Sequence, residues 1–336
     1  MIKRKIITMK NRWQHYPLIS TQLQAVNDCI HQRIVCNNPS LQAALLAMAD
    51  NGGKYLRPAL LLLTARACNP QSSEHDDRLV KVAASIEILH MATLIHDDII
   101  DDSPKRRGAV SIQTRFGKDT AVYAGDLLFT VFFDLLIETM PGSSYLTTNA
   151  RSMRQILNGE LGQTGQRFNT RQGLKDYLKN VNGKTAALFR LAAREGAHFG
   201  GGDEHLTGPA AKFGQNLGIA FQMLDDILDY TGGQGLNKPV LEDLTTGVYS
   251  LPLLFALQQS GTAAQLGPLL AKKRQMTLAD MQRVQEIVIA SDAVKASRQL
   301  AGRFTNKAIE NLTKLPDNRA RRFLHQMANQ LLKRTM

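Results

Sequence analysis

The sequence predicts an all-α fold, and three observations carry that reading. Apolar residues recur at three- and four-residue steps, as in Leu79, Val82, Ile86, Leu89 and Thr93, and the Ala/Leu-rich stretch from Thr185 to Ala193 reads the same way. Strand-like apolar/polar alternation is hard to find, and β-branched residues do not cluster. Ala, Leu, Gln, Met, Lys and Arg, all good helix formers, are abundant.

The elements follow from the breaks between them. The first helical stretch ends by Asn37-Asn38-Pro39 and carries Cys29 and Cys36. These cysteines are seven residues apart, two turns of one helix, and cannot bridge if that helix forms. Further breaks fall at Cys68-Asn69-Pro70, Ser103-Pro104, Met140-Pro141-Gly142, Gly200-Gly201-Gly202, Gly232-Gly233 and Leu315-Pro316. Several intervals hold helices of about 15–30 residues. None of the breaks is a Ser/Gly/Pro linker, and there is no fixed-period repeat or low-complexity tract. One domain over residues 1–336 is expected, with a motif core at about 52–252 and basic tails at 1–12 and 300–336.

The chain has 336 residues, 43% hydrophobic and 21% charged, enough apolar material for a large globular core. Lys plus Arg number 41 against 29 Asp plus Glu, a surplus of +12 that points to anionic partners. The surplus sits at the ends: residues 1–12 are net +5 and residues 300–336 net +6, so the body is nearly neutral. Three cysteines, Cys29, Cys36 and Cys68, with no CxxC pair support neither a disulfide framework nor a zinc knuckle. They read as small buried hydrophobes in a reducing compartment. No apolar run approaches the roughly 18–20 residues of a bilayer span, and MIKRKIITMK is not followed by a signal-peptide core. A cytoplasmic location is expected.

Two similar acidic patches stand in apolar surroundings. The first is His96-Asp97-Asp98-Ile99-Ile100-Asp101-Asp102, the second Gln222-Met223-Leu224-Asp225-Asp226-Ile227-Leu228-Asp229, and both contain DDxxD. On a helix the first and last aspartates lie one turn apart on one face. Like charges so placed destabilise the helix, and carboxylates beside Ile and Leu lose solvation. A divalent cation offsets both costs. Carboxylates without His or Cys suit a hard ion, most naturally Mg²⁺, which keeps waters and bridges to substrate phosphates. If the two helices face one another, six carboxylates converge on one metal–diphosphate site.

Basic residues complement the patches. Lys54 and Arg57 stand three apart in GGKYLRP, beside a glycine turn. Lys105-Arg106-Arg107-Gly108 follows the first patch, and Leu236-Asn237-Lys238-Pro239 follows the second. Asn182-Gly183-Lys184-Thr185 looks like the end of a nucleotide phosphate loop, but Leu178 stands where its first glycine belongs. The nucleotide reading is therefore rejected, while Lys184 is retained as a phosphate contact.

At these residues the sequence resembles the trans-isoprenyl (polyprenyl) diphosphate synthases, head-to-tail prenyltransferases of the all-α terpenoid-synthase fold. The likeness runs from about Gly52 to Pro252, with GGKYLRP, the His90-to-Asp101 stretch, RRG, GKT, FQMLDDILD and the following lysine in the family's order. The resemblance implies a helical bundle around a central active-site cavity. It implies that Asp97, Asp98 and Asp101, with Asp225, Asp226 and Asp229, hold Mg²⁺ on an allylic diphosphate. Arg106, Lys184 and Lys238 would meet that diphosphate directly, with Thr185 beside them. Lys54, Arg57, His90 and Arg107 would bind isopentenyl diphosphate, and Gln222 would orient one end of the site. Helix geometry agrees, since His90 and Asp101 project about 20° apart around the axis. Metal and cations would stabilise the leaving diphosphate, and the alkene of isopentenyl diphosphate would attack the ionising allylic carbon. An apolar wall would exclude water.

Product length would be read below the first patch. One turn deeper, about 5–6 Å, is about one isoprene unit, and the residues five and four before Asp97 are Ala92 and Thr93. Short-chain relatives tend to place an aromatic floor there. These small residues predict an open floor and a chain of about six to ten units for quinone side chains, unless Phe132 or Phe133 closes the tunnel. Asn237 in place of the family's usual glycine, and Val248-Tyr249-Ser250 before Leu251-Pro252, depart from the pattern without removing a ligand. The alternatives are a short-chain farnesyl or geranylgeranyl diphosphate synthase, and the catalytic subunit of a two-component heptaprenyl-type synthase. The expected partners are isopentenyl diphosphate, an allylic primer such as farnesyl diphosphate and a second copy in a homodimer. A terpene cyclase fits less well, because two DDxxD patches plus GGKxxR imply two diphosphates. A basic nucleic-acid module lacks zinc-finger spacing and RNA-binding aromatics. The tails suit peripheral contact with anionic lipid.

Overall fold

The computed structural model describes residues 17–52, 55–71, 76–232 and 241–333. In chain order its helices are α1 (Ser20–Arg33), α2 (Pro39–Gly52), α3 (Leu56–Cys68), α4 (Asp77–Ile100), α5 (Ile112–Phe116) and α6 (Lys118–Thr139), with strands β1 (Lys105–Arg106) and β2 (Ala109–Val110) before α5. There follow α7 (Ser144–Gly165), α8 (Leu174–Val181), a π-helical turn (Asn182–Ala186), α9 (Ala187–Phe199) and α10 (Glu204–Thr231). The last are α11 (Glu242–Thr246), α12 (Leu251–Leu257), α13 (Ser260–Leu270), α14 (Leu278–Ala290), α15 (Ala293–Leu312) and α16 (Arg319–Lys333). The all-α expectation holds, and the breaks read from the sequence fall at element ends. Pro39 opens a helix, Cys68 closes one, and Pro141-Gly142 separates two. Helix α1 stops at Arg33, so Cys36 lies beyond it, and all three cysteines are unbridged.

The residues fall into two compact units. One lies within Met1–Asn149, Leu191–Ala211 and Leu315–Leu324, the other within Ala150–Arg190, Lys212–Lys314 and His325–Met336. In the first, α4 is central and packs against α1, α3, α5 and α6. Its start is fixed by Asp76, whose side chain accepts the Leu79 N–H at 3.1 Å. Helix α3 is buried on every face from Pro58 to Cys68, with the run Leu60–Leu63 at its centre, as befits a helix enclosed on all sides. In the second, α12 packs against α8, α13, α14 and α15. From Lys212 onward, α10 buries Phe213, Leu217, Met223, Leu224 and Ile227.

Among the described residues, two helices, α4 and α6, are long and apolar enough to cross a membrane, although the sequence offers no uninterrupted apolar run of that length. The most apolar window of α4 is 72% buried, which accounts for its composition by packing.

Candidate active site

In the first unit, α4 ends in carboxylates. Asp97 and Asp98 occupy its last turn, and Asp101 caps it, its N–H donating to the Asp97 carbonyl at 2.9 Å. A helix C-terminus carries partial negative charge, so acidic side chains there have the wrong sign for stability, and no basic residue occupies that turn. Such a cost is offset by a cation.

Asp98 is only 3% exposed and is met by Arg106, whose Nε donates to Oδ1 at 2.8 Å while Nη2 contacts the same oxygen. Burial pushes the Asp98 carboxyl up, and the Arg106 guanidinium pulls it back. A hairpin delivers that arginine. Strands β1 and β2 pair antiparallel with Arg106 opposite Ala109, joined by Arg107 and Gly108 at φ 53 and 85. Two successive left-handed residues make a type I′ turn, which requires positive φ at both positions. The RRG run is thus turn chemistry as well as charge.

Further up α4 stand His90 and Glu87. Burial, then Arg57, Arg107 and Arg106 in that order, hold the His90 imidazole well below its usual range, so it is neutral and can donate one hydrogen bond. Arg57, in the first turn of α3, is lowered to about 10 by burial, with Glu87 opposing the shift. Glu87 is pushed up by burial and pulled back by Arg57 and Arg107. These five side chains are one electrostatic group suited to an anion. Lys54 lies outside the described residues. Ala92 is buried, and Thr93 donates its hydroxyl to the His90 carbonyl at 2.8 Å. On α6, Phe132 is buried and Phe133 exposed.

In the second unit, Asp225, Asp226 and Asp229 occupy the last turns of α10, again without a basic residue at the helix end. Asp226 is buried and accepts three hydrogen bonds: from Tyr177 Oη at 2.7 Å, Gln222 Nε2 at 2.9 Å and the Leu251 N–H at 3.1 Å. Burial still pushes it up to about 6. Gln222 in turn accepts the Thr185 hydroxyl at 2.8 Å, so Thr185, Gln222, Asp226 and Tyr177 form one chain.

Lys184 sits beside Thr185 on the π-helical turn, a rare conformation often found at functional sites. Its ammonium meets Glu160 at 2.9 Å and Gln163 at 3.1 Å, both on α7. Gly159 and Gly183 let the two segments touch: a Cβ on Gly159 would lie 2.3 Å from the Lys184 nitrogen. Gln215 donates to the Asn182 side-chain oxygen at 2.6 Å, bracing the turn from α10. Lys238 lies outside the described residues.

Both motifs share a pattern. The middle aspartate of each, Asp98 or Asp226, is buried against protein donors, while the first and last are more exposed. Among the described residues no three acidic, His or Cys side chains converge into a metal cage. All-oxygen donors without a cage fit a hard divalent cation that keeps waters and completes its shell from substrate phosphates.

Sequence reasoning missed Glu87, Glu160, Gln163, Tyr177 and the hairpin. Glu87 had a signal, standing three residues before His90 on the same helix face. Tyr177 had none, because its partner is 49 residues away.

Residues 38–288 match the family described as polyprenyl synthetase. The chain is 32% identical over 321 residues to heptaprenyl diphosphate synthase component 2 of Geobacillus stearothermophilus, covering 95% of this chain and 98% of that relative. Among solved structures it is similar to a geranylgeranyl pyrophosphate synthase from Lactobacillus brevis, with TM-score 0.89, 40% identity and coverage of 96% and 98% of the two chains. It is also similar to a decaprenyl diphosphate synthase from Rhodobacter capsulatus, with TM-score 0.86, 28% identity and coverage of 98% and 99%.

Proposed function

From the premise that this chain belongs to the polyprenyl synthetase family of prenyltransferases, we propose that it condenses isopentenyl diphosphate with an allylic diphosphate into a long trans-polyprenyl diphosphate. One observation carries this reading: two helix ends are loaded with carboxylates, Arg106 pairs with Asp98, and Thr185, the residue after Lys184, is joined through Gln222 to Asp226. Anions and cations sorted in this way suit a metal-bound diphosphate better than a neutral ligand.

The family works with a divalent metal, and we assign Mg²⁺ here, held by Asp97, Asp101, Asp225 and Asp229 with Asp98 and Asp226 supporting them. When bound, the metal neutralises charge on the departing diphosphate. Arg106, Lys184 and Lys238 hold the same group. Arg57, Lys54, Arg107 and neutral His90 hold isopentenyl diphosphate, with buried Glu87 offsetting the charge of Arg57 and Arg107. No side chain is assigned as a general base, because the released diphosphate is itself a proton acceptor.

Ala92 and Thr93 support a long product of about six to ten units, since neither is bulky enough to stop a chain one turn, about 5 Å, below the aspartates. Heptaprenyl, hexaprenyl and decaprenyl synthases among the relatives agree with this. Val122, Tyr123, Phe133 and Ile137 leave an exposed apolar stripe on α6, which we assign to a homodimer contact. A second reading has one observation in its favour: two heptaprenyl relatives are named component 2. In that case the chain alone would be inactive and a smaller partner would restore it. We place the enzyme in the cytoplasm with its basic tails on anionic lipid; deleting residues 1–12 should weaken binding to anionic vesicles and spare catalysis. The catalytic reading is tested by diphosphate release from farnesyl plus isopentenyl diphosphate: Asp97→Ala and Asp225→Ala should each abolish it, and full activity in either contradicts the assignment.

A further inference from the structure

Tyr55 has a backbone that an L-residue adopts at a cost. It precedes α3 at φ 44 and ψ 36, left-handed, while its side chain is 1% exposed. Such strain persists only where the surroundings hold it. What holds it is Asn27 on α1: the Tyr55 hydroxyl donates to Asn27 Oδ1 at 2.5 Å. The other end of the same amide, Nδ2, donates to Asp50 Oδ1 at 3.2 Å. The amide orientation follows from chemistry, because a carboxylate accepts and the amide nitrogen must face it, which turns the oxygen towards the phenol. His31, one turn along α1, meets the same Asp50 oxygen at 2.8 Å through Nε2.

Asp50 and Tyr55 lie on either side of Lys54 in the sequence, and Arg57 follows Tyr55 by two residues. One amide thus grips the chain both before and after the lysine and sets where α3, with Arg57 in its first turn, begins. An apolar side chain would serve if Asn27 only packed α1. An amide is needed where one group must accept from a phenol and donate to a carboxylate at once.

We propose that Asn27 is a positioning residue for isopentenyl diphosphate, acting through Tyr55 and Asp50 to place the Arg57 guanidinium in the first turn of α3. The proposal rests on the reading above that Arg57 binds that diphosphate.

The test varies isopentenyl and allylic diphosphates separately in steady-state kinetics, alongside thermal melts, for Asn27→Ala, Asn27→Asp, Tyr55→Phe and Arg57→Ala. Asn27→Ala should raise KM for isopentenyl diphosphate about five- to tenfold, the scale of one or two lost hydrogen bonds, with kcat and the allylic KM within about twofold of wild type. Asn27→Asp keeps the acceptor for Tyr55 but sets a carboxylate against Asp50, and should raise that KM at least as much. Tyr55→Phe removes one hydroxyl only and should move the same constant, which keeps the test decisive if the Asn27 variants fail to fold. A lowered melting temperature with that KM unchanged overturns the proposal. If Arg57→Ala raises the isopentenyl KM and neither Asn27→Ala nor Tyr55→Phe does, positioning fails while the site reading stands. If Arg57→Ala leaves it unchanged, the site reading itself fails.

Discussion

Gly159→Ala would put a methyl group where the backbone of the Lys184 turn already runs. The added carbon would lie 2.3 Å from the Lys184 nitrogen, 2.7 Å from the Gly183 carbonyl carbon and 2.8 Å from its Cα. Ordinary carbon contacts begin at about 3.5 Å, so α7 and the turn must separate by roughly 1 Å. All three obstacles are backbone atoms, and no side chain can swing aside to relieve them. Overpacking of this kind costs about 1–3 kcal/mol, and misplacing a substrate-positioning group by about 1 Å costs on the order of 100-fold in rate. The variant should therefore lose about 100-fold in kcat/KM while retaining helical circular dichroism and melting several degrees lower. Gly165→Ala is the control on the same helix, since its Cβ meets nothing within 4 Å. It should be neutral in activity and no less stable, because alanine suits a helix better than glycine. Wild-type kcat/KM in Gly159→Ala would refute the argument that close backbone approach places Lys184.

Tyr177→Phe removes one of three donors from Asp226; it should cost about 1–3 kcal/mol in denaturant unfolding, and an unchanged midpoint would show that the phenol is dispensable. Glu195 is fully buried against Asn149, with Nδ2 donating at 2.5 Å, and burial pushes its carboxyl up to about 8. A raised carboxyl contributes stability that is fully present below its ordinary pKa near 4.5 and is lost as pH rises through about 8. Unfolding free energies should therefore fall by roughly 1.4 kcal/mol per pH unit across that window, and Glu195→Gln should flatten the slope; equal slopes in both proteins would contradict it. Phe133→Asp combined with Ile137→Asp should convert a dimer to a monomer in light scattering with helix content unchanged. A dimer of unchanged mass would move the interface elsewhere.

The helical architecture was readable because it is periodic. Pro39, Cys68 and Pro141-Gly142 mark helix ends by local chemistry, and the apolar steps along α4 survive in the structure. The aspartate pairs were readable for the same reason, since DDxxD is a one-turn spacing. What escaped was set by distant partners or by backbone detail. The hairpin at Lys105–Val110 is too short for alternation to show, and only the φ values of Arg107 and Gly108 reveal its turn. The π-helical turn at Lys184 depends on glycines 24 residues apart, Gly159 and Gly183, which no local window connects. The different duties within each DDxxD were invisible too, because Asp98 and Asp226 look like their neighbours until Arg106 and Tyr177 are seen against them.

The most direct test of the function is the size of the product. The purified chain, with Mg²⁺, farnesyl diphosphate and excess isopentenyl diphosphate, should yield polyprenyl diphosphates of about six to ten units, each added unit needing about one more helical turn of tunnel. A product that stops at four units, as made by the geranylgeranyl synthase it is similar to, would contradict the open floor at Ala92 and Thr93. No elongation at all without an added partner would contradict the single-chain enzyme.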